Sequence, residues 1–458
     1  MENKDFTCVI LAAGQGTRMK SNMPKVLHKV CGLALVEHVI AACRNIGEPV
    51  VIIGNGSEQV KQLLGDSVSY ALQAERKGTG HAVMECFAQV DINTKYTLVC
   101  AGDMPLITGE SLEKLCGAMQ GKGACVLSAR MDDPFGYGRI IRNADGTFKK
   151  IVEQKDATAE EALVDEVNTS VYVFKTELLA DALKQITPAN AQGEYYLTDC
   201  LEIISKVEPI GVMCLEDATE AFGINDRVQL AEAAAIMQKK INTMHMRNGV
   251  TLIDPSNTYI EANVIIGSDT VIYPASYIGK GSRIGSGCTL MGANRLDNAT
   301  VGDNCTVEAS VLLSCSVGNN TTVGPNAYLR PKAVIGNNAR IGDFVEIKNA
   351  TIGDGSKVSH LSYVGDATVG KRCNVGCGTV FVNYNGKHKF RSVVGDNVFI
   401  GSNSNLIAPV ELKDGAYIAA GSTVTKDIPS GALCVARSRE YIKDGWADEL
   451  RKSWEREK

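Results

Sequence analysis

Ile260-Glu261-Ala262-Asn263-Val264-Ile265-Ile266-Gly267-Ser268-Asp269-Thr270-Val271-Ile272 places an isoleucine at every sixth position, and the period continues through Ile278, Ile284 and Leu290. A second run passes through Val311, Val317, Val323, Leu329, Ile335, Ile341 and Ile347, and a third through Val394, Ile400, Leu406, Leu412, Ile418 and Val424. Glycine often follows the aliphatic anchor. A hexapeptide repeat of this kind is the signature of a β-helix, each repeat forming one flat side of a coil. The aliphatics stack inward and small or polar residues turn the corners. At about 4.8 Å per coil, about nine coils give a prism on the order of 45 Å long.

The repeat fails at Phe381-Val382-Asn383-Tyr384-Asn385-Gly386-Lys387-His388-Lys389-Phe390. This segment reads as an aromatic and basic loop leaving the prism, and loops on rigid scaffolds often carry function. Just upstream, His360 follows Val358 by two residues and need not face the core. For a lone histidine, a solvated or packed role is the commoner one.

Before the repeat, Leu230-Ala231-Glu232-Ala233-Ala234-Ala235-Ile236-Met237-Gln238-Lys239-Lys240-Ile241 is rich in strong helix formers. Asp226 is a candidate N-cap and Asn248-Gly249 a stop, so one linking helix is expected. Residues 1–227 instead alternate short apolar strands, such as 49–54 and 96–100, with helical stretches such as 35–42. That alternation predicts a mostly parallel, Rossmann-like sheet with helices on both faces, and ligands beyond the strand ends. The expected organisation is therefore an α/β domain over 1–227, a helical linker over 228–248 and a β-helix with a C-terminal arm over 249–458.

Several candidate residues follow predicted strands. Leu11-Ala12-Ala13-Gly14-Gln15-Gly16-Thr17-Arg18-Met19 follows the apolar run Phe6–Ile10 and leads to Pro24-Lys25-Val26-Leu27. Glycines let backbone N–H groups approach phosphate oxygens, and Arg18 and Lys25 supply positive charge. A Gly-x-Gly turn alone is weak, and neither the Walker pattern nor the full dinucleotide fingerprint is present. Asp103, in Ala101-Gly102-Asp103-Met104-Pro105-Leu106, lies just past a strand and could ligate a hard cation such as Mg²⁺ or cap a turn.

The pattern Leu-x-x-Gly-x-Gly-Thr-Arg-Met…Pro-Lys-x-Leu resembles the sugar-1-phosphate nucleotidyltransferases. That resemblance implies that Leu11, Ala12, Ala13, Gly14 and Lys25 contact nucleotide phosphates, with Arg18 and Lys25 acting in catalysis. It implies that Gln73, Gly78 and Thr79 read uracil, and that Ala101 and Gly102 line the site. Asp103 and Asn225, the latter in Gly223-Ile224-Asn225-Asp226, are implied as magnesium ligands, and Gly138, Glu153 and Asn168 as the sugar site. The segments Ser359–Asp366, Asn374–Gly376, Asn383–Gly386 and Lys389–Phe390 resemble a bifunctional family. In it, N-acetylglucosamine-1-phosphate uridyltransferase is joined to glucosamine-1-phosphate acetyltransferase. This second resemblance spans essentially the whole chain and implies a left-handed coil in a homotrimer. It implies that His360 is a general base, that Arg330 and Lys348 bind sugar phosphate, and that Tyr363 and Asn374 contact the sugar. Asn383, Tyr384, Cys377, Ser402, Ala420 and Arg437 would bind acetyl-CoA. Cys377 stands where relatives often carry Ala, and its thiol is expected to line the acetyl-CoA channel. The tail from Asp444-Gly445-Trp446 to Lys458 reads as an assembly arm.

The implied chemistry is synthesis of UDP-N-acetylglucosamine, a cell-wall precursor, from acetyl-CoA, glucosamine-1-phosphate and UTP with Mg²⁺. The alternatives are a single-activity nucleotidyltransferase with a regulatory β-helix and a non-enzymatic scaffold. The first would lack His360 and the 381–390 loop, and the second Arg18, Lys25 or Asp103. All are present.

Composition bounds the rest. The chain has 458 residues, a net charge of −5 and fifteen cysteines without a CxxC pair. The acidic balance argues against a general nucleic-acid surface. No export signal or membrane-length apolar run stands out, so a cytoplasmic protein with reduced thiols is expected. Cys373 and Cys377 are four apart, but nothing completes a zinc site.

Overall fold

The computed structural model describes residues 5–54 and 57–456. Glu457 and Lys458, the end of the expected arm, lie outside the described residues. The chain divides into two compact units, Met1–Lys240 and Ile241–Lys458.

The first unit begins with β1 (Phe6–Leu11), a short hairpin of β2 (Lys29–Val30) and β3 (Leu33–Ala34), and α1 (Leu35–Cys43). There follow β4 (Glu48–Gly54), α2 (Glu58–Leu64), β5 (Ser69–Gln73), α3 (Thr79–Gln89), β6 (Tyr96–Ala101), α4 (Gly109–Gly117) and β7 (Ala124–Arg130). The rest is β8 (Arg139–Arg142), β9 (Phe148–Val152), β10 (Glu166–Lys175), α5 (Thr176–Leu183), α6 (Thr198–Ser205) and β11 (Ile210–Cys214). The sheet order is β11-β7-β10-β6-β1-β4-β5. It is parallel except at β10, which runs antiparallel to both β6 and β7, with the β8–β9 hairpin branching from it. The predicted parallel sheet therefore carries one reversed strand. The strand pleat explains why both faces are covered. Cys8 and Ile10 of β1 pack with Val36, Val39 and Ile40 of α1 and Leu112 and Leu115 of α4. Val9 between them faces Val83 and Cys86 of α3, Leu179 of α5 and Leu201 of α6.

Helix α7 (Arg227–Arg247) follows. Asp226 caps it, its Oδ1 accepting from the backbone N–H of Val228 and of Gln229, both at 2.9 Å. Gly249, at φ +90°, ends it in the left-handed region.

The second unit is a left-handed parallel β-helix whose three sheets contain 11, 10 and 9 strands, each paired with the equivalent strand of the next coil. Thirty strands on three sides make ten coils, one more than the repeat count suggested. Ile260, Ile278, Leu329, Ile347 and Leu406 are fully buried anchors. One register differs from expectation: the inward residue of its coil side is Leu312, fully buried, while Val311 is half-buried. A side of five residues between Leu312 and Val317 causes the slip. Phe381 is likewise a fully buried anchor on the strand Val380–Val382, so the excursion begins only after it.

Corner chemistry follows from backbone geometry. Asn304, Asn320, Asn338 and Asn403 adopt positive φ, a region that asparagine tolerates well. Small donors tie coil to coil across the corners. Thr270, Thr321 and Ser356 hydroxyls donate to the carbonyls of Gly285, Gly336 and Gly370 at 2.7–2.8 Å. The Cys305 and Cys373 thiols do the same to Gly318 and Gly395 at 3.0 Å. All fifteen cysteines are free. Among the described residues, no helix is long and apolar enough to cross a membrane.

Candidate functional site

In the first unit, the carboxyl ends of β1, β5 and β6 open onto a cleft of about 290 Å³. Leu11, Ala13, Gly14, Lys25, Gln73, Gly78, Thr79, Ala101 and Asp103 all line it. Ala12 is buried behind them with its N–H bonded to the Ile52 carbonyl at 2.9 Å. Gly102 donates to the Leu11 carbonyl at 2.9 Å, and a Cβ there would meet that same oxygen. Gly16 sits at φ +61°, and a Cβ on it would lie 2.5 Å from the Cβ of Lys25. Its conformational freedom therefore serves the placement of Lys25.

Lys25 is ion-paired to Asp103, and its Nζ also donates to Asn225 Oδ1 at 3.4 Å. A backbone bond from Ile224 N–H to the Asp103 carbonyl, 3.1 Å, ties the two loops together. Three segments far apart in sequence thus converge on one point. Asp103 and Asn225 offer two hard oxygen donors there. This set suits Mg²⁺, which retains waters and substrate phosphates and rarely needs a full protein cage. Among the described residues, no cluster of three or more His, Cys, Asp or Glu side chains offers a rival metal site. Arg18 is exposed on the turn Thr17–Met19 and does not line the cleft, because left-handed residues Gly16 and Lys20 bound that turn.

Gln73 is buried with its amide donating to the Gly78 carbonyl at 3.0 Å and to His81 Nδ1 at 3.2 Å. Its carbonyl oxygen is left for a ligand donor. The residues predicted for the sugar form a second group. Asn168 N–H donates to the Gly138 carbonyl at 2.8 Å, and a Cβ on Gly138 would sit 3.4 Å from both Glu153 carboxylate oxygens. Burial pushes the Glu153 carboxyl above its ordinary value, with Asp156 and Asp199 adding to the effect. The link to the cleft is a bulge in β10 between Asn168 and Tyr172. It holds Ser170 at φ +61° and brings it into the cleft lining. Arg76, Ser170 and Glu194 line the cleft without having been singled out from sequence. Arg76 donates to the Ala13 carbonyl at 2.8 Å and so braces the glycine loop.

In the second unit, Arg330, Lys348 and Lys389 form a cationic group. Lys389 most of all, then burial and further repulsion from Lys389 and Arg330, pulls the Lys348 ammonium below its ordinary value. Such mutual repulsion marks a place where an anion is welcome. Arg330 is held by Glu346 at 2.7 Å. Asn383 donates to Asp366 at 2.5 Å and to the Tyr363 hydroxyl at 3.4 Å, while Asn349 donates to the other Asp366 oxygen at 2.6 Å. Asp366 thus ties Asn349 to Asn383 and was not predicted.

His360 is half-exposed, and its Nδ1 is hydrogen-bonded to Asp343 one coil below. That bond holds the Asp343 carboxyl below its ordinary value. Above His360 the predicted residues climb one corner, coil by coil. The Ser362 hydroxyl donates to the Gly376 carbonyl at 3.2 Å, Asn403 N–H to Cys377 O at 2.7 Å, and Gly421 N–H to Ser402 O at 2.8 Å. Ala420 backs onto Gly401, where a Cβ would meet its nitrogen at 2.4 Å, and Arg437 lies beside Gly421. Asn374 opens the strand carrying the Cys377 turn. Tyr384 is exposed on the excursion, with its hydroxyl bonded to the Gly386 carbonyl at 2.5 Å.

Known proteins divide the chain in the same way. A MobA-like NTP transferase domain is recognised over residues 8–196. Bacterial transferase hexapeptide repeats are recognised over 257–292 and 391–426, a hexapeptide repeat of succinyl-transferase over 277–315, and a GMPPB C-terminal domain over 312–403. A protein of Acetivibrio thermocellus named bifunctional protein GlmU is 49% identical over 443 residues, covering 96% of each chain. Its namesake in Clostridium botulinum strain 657 is 51% identical over 451 residues, covering 97% of this chain and 98% of its own. That of Clostridioides difficile is 49% identical over 450 residues, covering 97% and 98%.

Proposed function

The chain belongs to the bifunctional GlmU family, and from that premise we propose how its two sites divide the work. The protein is both a nucleotidyltransferase and an acetyltransferase. It acetylates glucosamine-1-phosphate with acetyl-CoA, then transfers UMP from UTP to N-acetylglucosamine-1-phosphate, releasing pyrophosphate. A regulatory β-helix without its own chemistry is not favoured, since relatives matching across both units are named bifunctional.

In the uridylyl site, an oxygen of the sugar phosphate attacks the α-phosphorus of UTP and the bond to pyrophosphate breaks. The nucleophile is already anionic, so no general base is required. Catalysis is alignment plus charge neutralisation. Lys25 supplies charge at the triphosphate, and Arg18, outside the cleft lining, adds longer-range positive charge from its turn. Gln73 and the Gly78–Thr79 backbone read the uracil edge, and Gly138, Glu153 and Asn168 hold the amino sugar. Asp103 and Asn225 are the residues that would hold Mg²⁺, which when bound supplies Lewis-acid neutralisation of phosphate charge. The observation that carries this reading is the convergence of Lys25, Asp103 and Asn225.

In the acetyl site, Arg330, Lys348 and Lys389 take the sugar phosphate, while Tyr363 and Asn374 orient the ring. His360 removes a proton as the amine nitrogen attacks the thioester carbonyl; the C–S bond breaks and the thiolate then receives a proton. Cys377, Ser402, Ala420 and Arg437 bind acetyl-CoA along the corner above His360, and Asn383 and Tyr384, which follow a strand of the neighbouring sheet, bind it from the excursion. The family reading extends to a cytoplasmic homotrimer. Sedimentation should then give a mass near three times 48.9 kDa, and a monomer at micromolar concentration would refute the trimer.

Two substitutions with separate assays test the division. Asp103→Asn should abolish pyrophosphate release from UTP and leave acetylation intact. His360→Ala should do the converse. Loss of both activities in either folded variant would contradict independent sites.

A further inference from the structure

We propose that Asp343 is the positioning residue of the acetyl site, fixing the His360 imidazole so that Nε2 faces the reaction. The proposal rests on the reading of His360 as the base. Asp343 and His360 are register partners on adjacent coils, and the carboxylate accepts from Nδ1 at 2.5 Å. An ionised carboxylate has no proton to donate, so Nδ1 is the protonated nitrogen and Nε2 carries the lone pair. The base needs that tautomer. The side chains are not meeting by chance rotation, because the backbone is tied twice just after the histidine. Leu361 N–H donates to the Asp343 carbonyl at 2.9 Å, and the Ser362 hydroxyl donates to the His360 carbonyl at 2.8 Å. Gly342 completes the close approach: a Cβ there would lie 1.9 Å from the Ser359 carbonyl. The same residue that positions the ring thus belongs to the strand against which the histidine strand is pressed.

During the reaction, the amine nitrogen bonds to the thioester carbonyl carbon and its proton passes to Nε2. The C–S bond then breaks, and the proton passes from Nε2 to the departing sulfur. Asp343 remains ionised throughout, and its negative charge stabilises the imidazolium that forms. The bond from His360 does most to keep it ionised, and Arg340 on the same strand adds a smaller effect. Both members of the pair are substantially solvated, so the bond adds little to folding.

The test is a double-mutant cycle on the full-length protein. Asp343→Ala should lower kcat for acetylation about 10- to 100-fold, with KM for glucosamine-1-phosphate and acetyl-CoA within about twofold. Uridylyl transfer should be unchanged. Asp343→Asn, which keeps the shape but can present an N–H to Nδ1, should also lose activity and guards against a folding defect in the alanine variant. In a His360→Ala background, Asp343→Ala should cost nothing further, because its effect runs through the ring. A kcat unchanged by both substitutions, or an equal loss in both backgrounds, would overturn the positioning role. Full acetylation by His360→Ala would instead overturn the base assignment on which it rests.

Discussion

Gly16 shows how much one residue can decide. Its φ of +61° and the 2.5 Å approach to Lys25 mean that a methyl group would both strain the turn and displace the lysine. Gly16→Ala should cost about 1–2 kcal/mol of stability and lower uridylyl kcat/KM at least about tenfold. Acetylation by the same preparation is the control. Glu153 makes the opposite trade. Its carboxyl is raised above the ordinary 4.5 by burial, so the stability it contributes is complete below that value and is lost as pH rises through the raised one. Glu153→Gln should therefore raise Tm at pH 7–8 and lose that advantage near pH 4, while KM for N-acetylglucosamine-1-phosphate rises about tenfold or more. Melting curves across that range, paired with kinetics at pH 7.5, check both halves. At this scale the sequence was readable where chemistry sits in a local motif: the glycine loop, Asp103, Gln73. Asp343, Asp366 and Ser170 were not readable. Asp343 lies seventeen residues before His360, and only the coil geometry makes them neighbours. Ser170 enters the cleft through a bulge whose sequence, Asn168-Thr169-Ser170, looks like an ordinary strand.

Among elements, the coil is the unit of stability. Leu329 is fully buried, and its strand pairs only with those of the coils before and after. Leu329→Ala should destabilise by about 2–5 kcal/mol, as core truncations do, measurable by guanidinium unfolding. Val311→Ala should cost well under half as much, because Leu312 holds the inward position. The difference tests the register directly. The six-residue period made the β-helix readable, since inward anchors recur whatever fills the corners. It misled at Val311 because some sides have five residues, and a one-residue slip exchanges inside for outside; Phe381 keeps the period, six residues after Val375, and closes the last regular side before the excursion. The reversal of strand β10 is not legible in the sequence for another reason: alternation of strands and helices carries no information about direction.

Across the whole molecule, each coil bonds only to its neighbours, so the prism behaves as a stack whose terminal members can open alone. The corner bearing His360, Cys377, Ser402 and Ala420 crosses four successive coils toward the carboxyl end. Acetyl-CoA in the proposed site would lie across those rungs like a splint. Amide exchange in the strands 399–400, 417–418 and 433–434 should then slow roughly tenfold or more at ligand one hundred times its Kd. Strands 259–260 and 277–278, at the far end, should keep their rates. Bound acetyl-CoA would thereby oppose fraying from the end of the stack nearest to it, so that starvation for acetyl groups would register as a looser, more protease-sensitive carboxyl terminus.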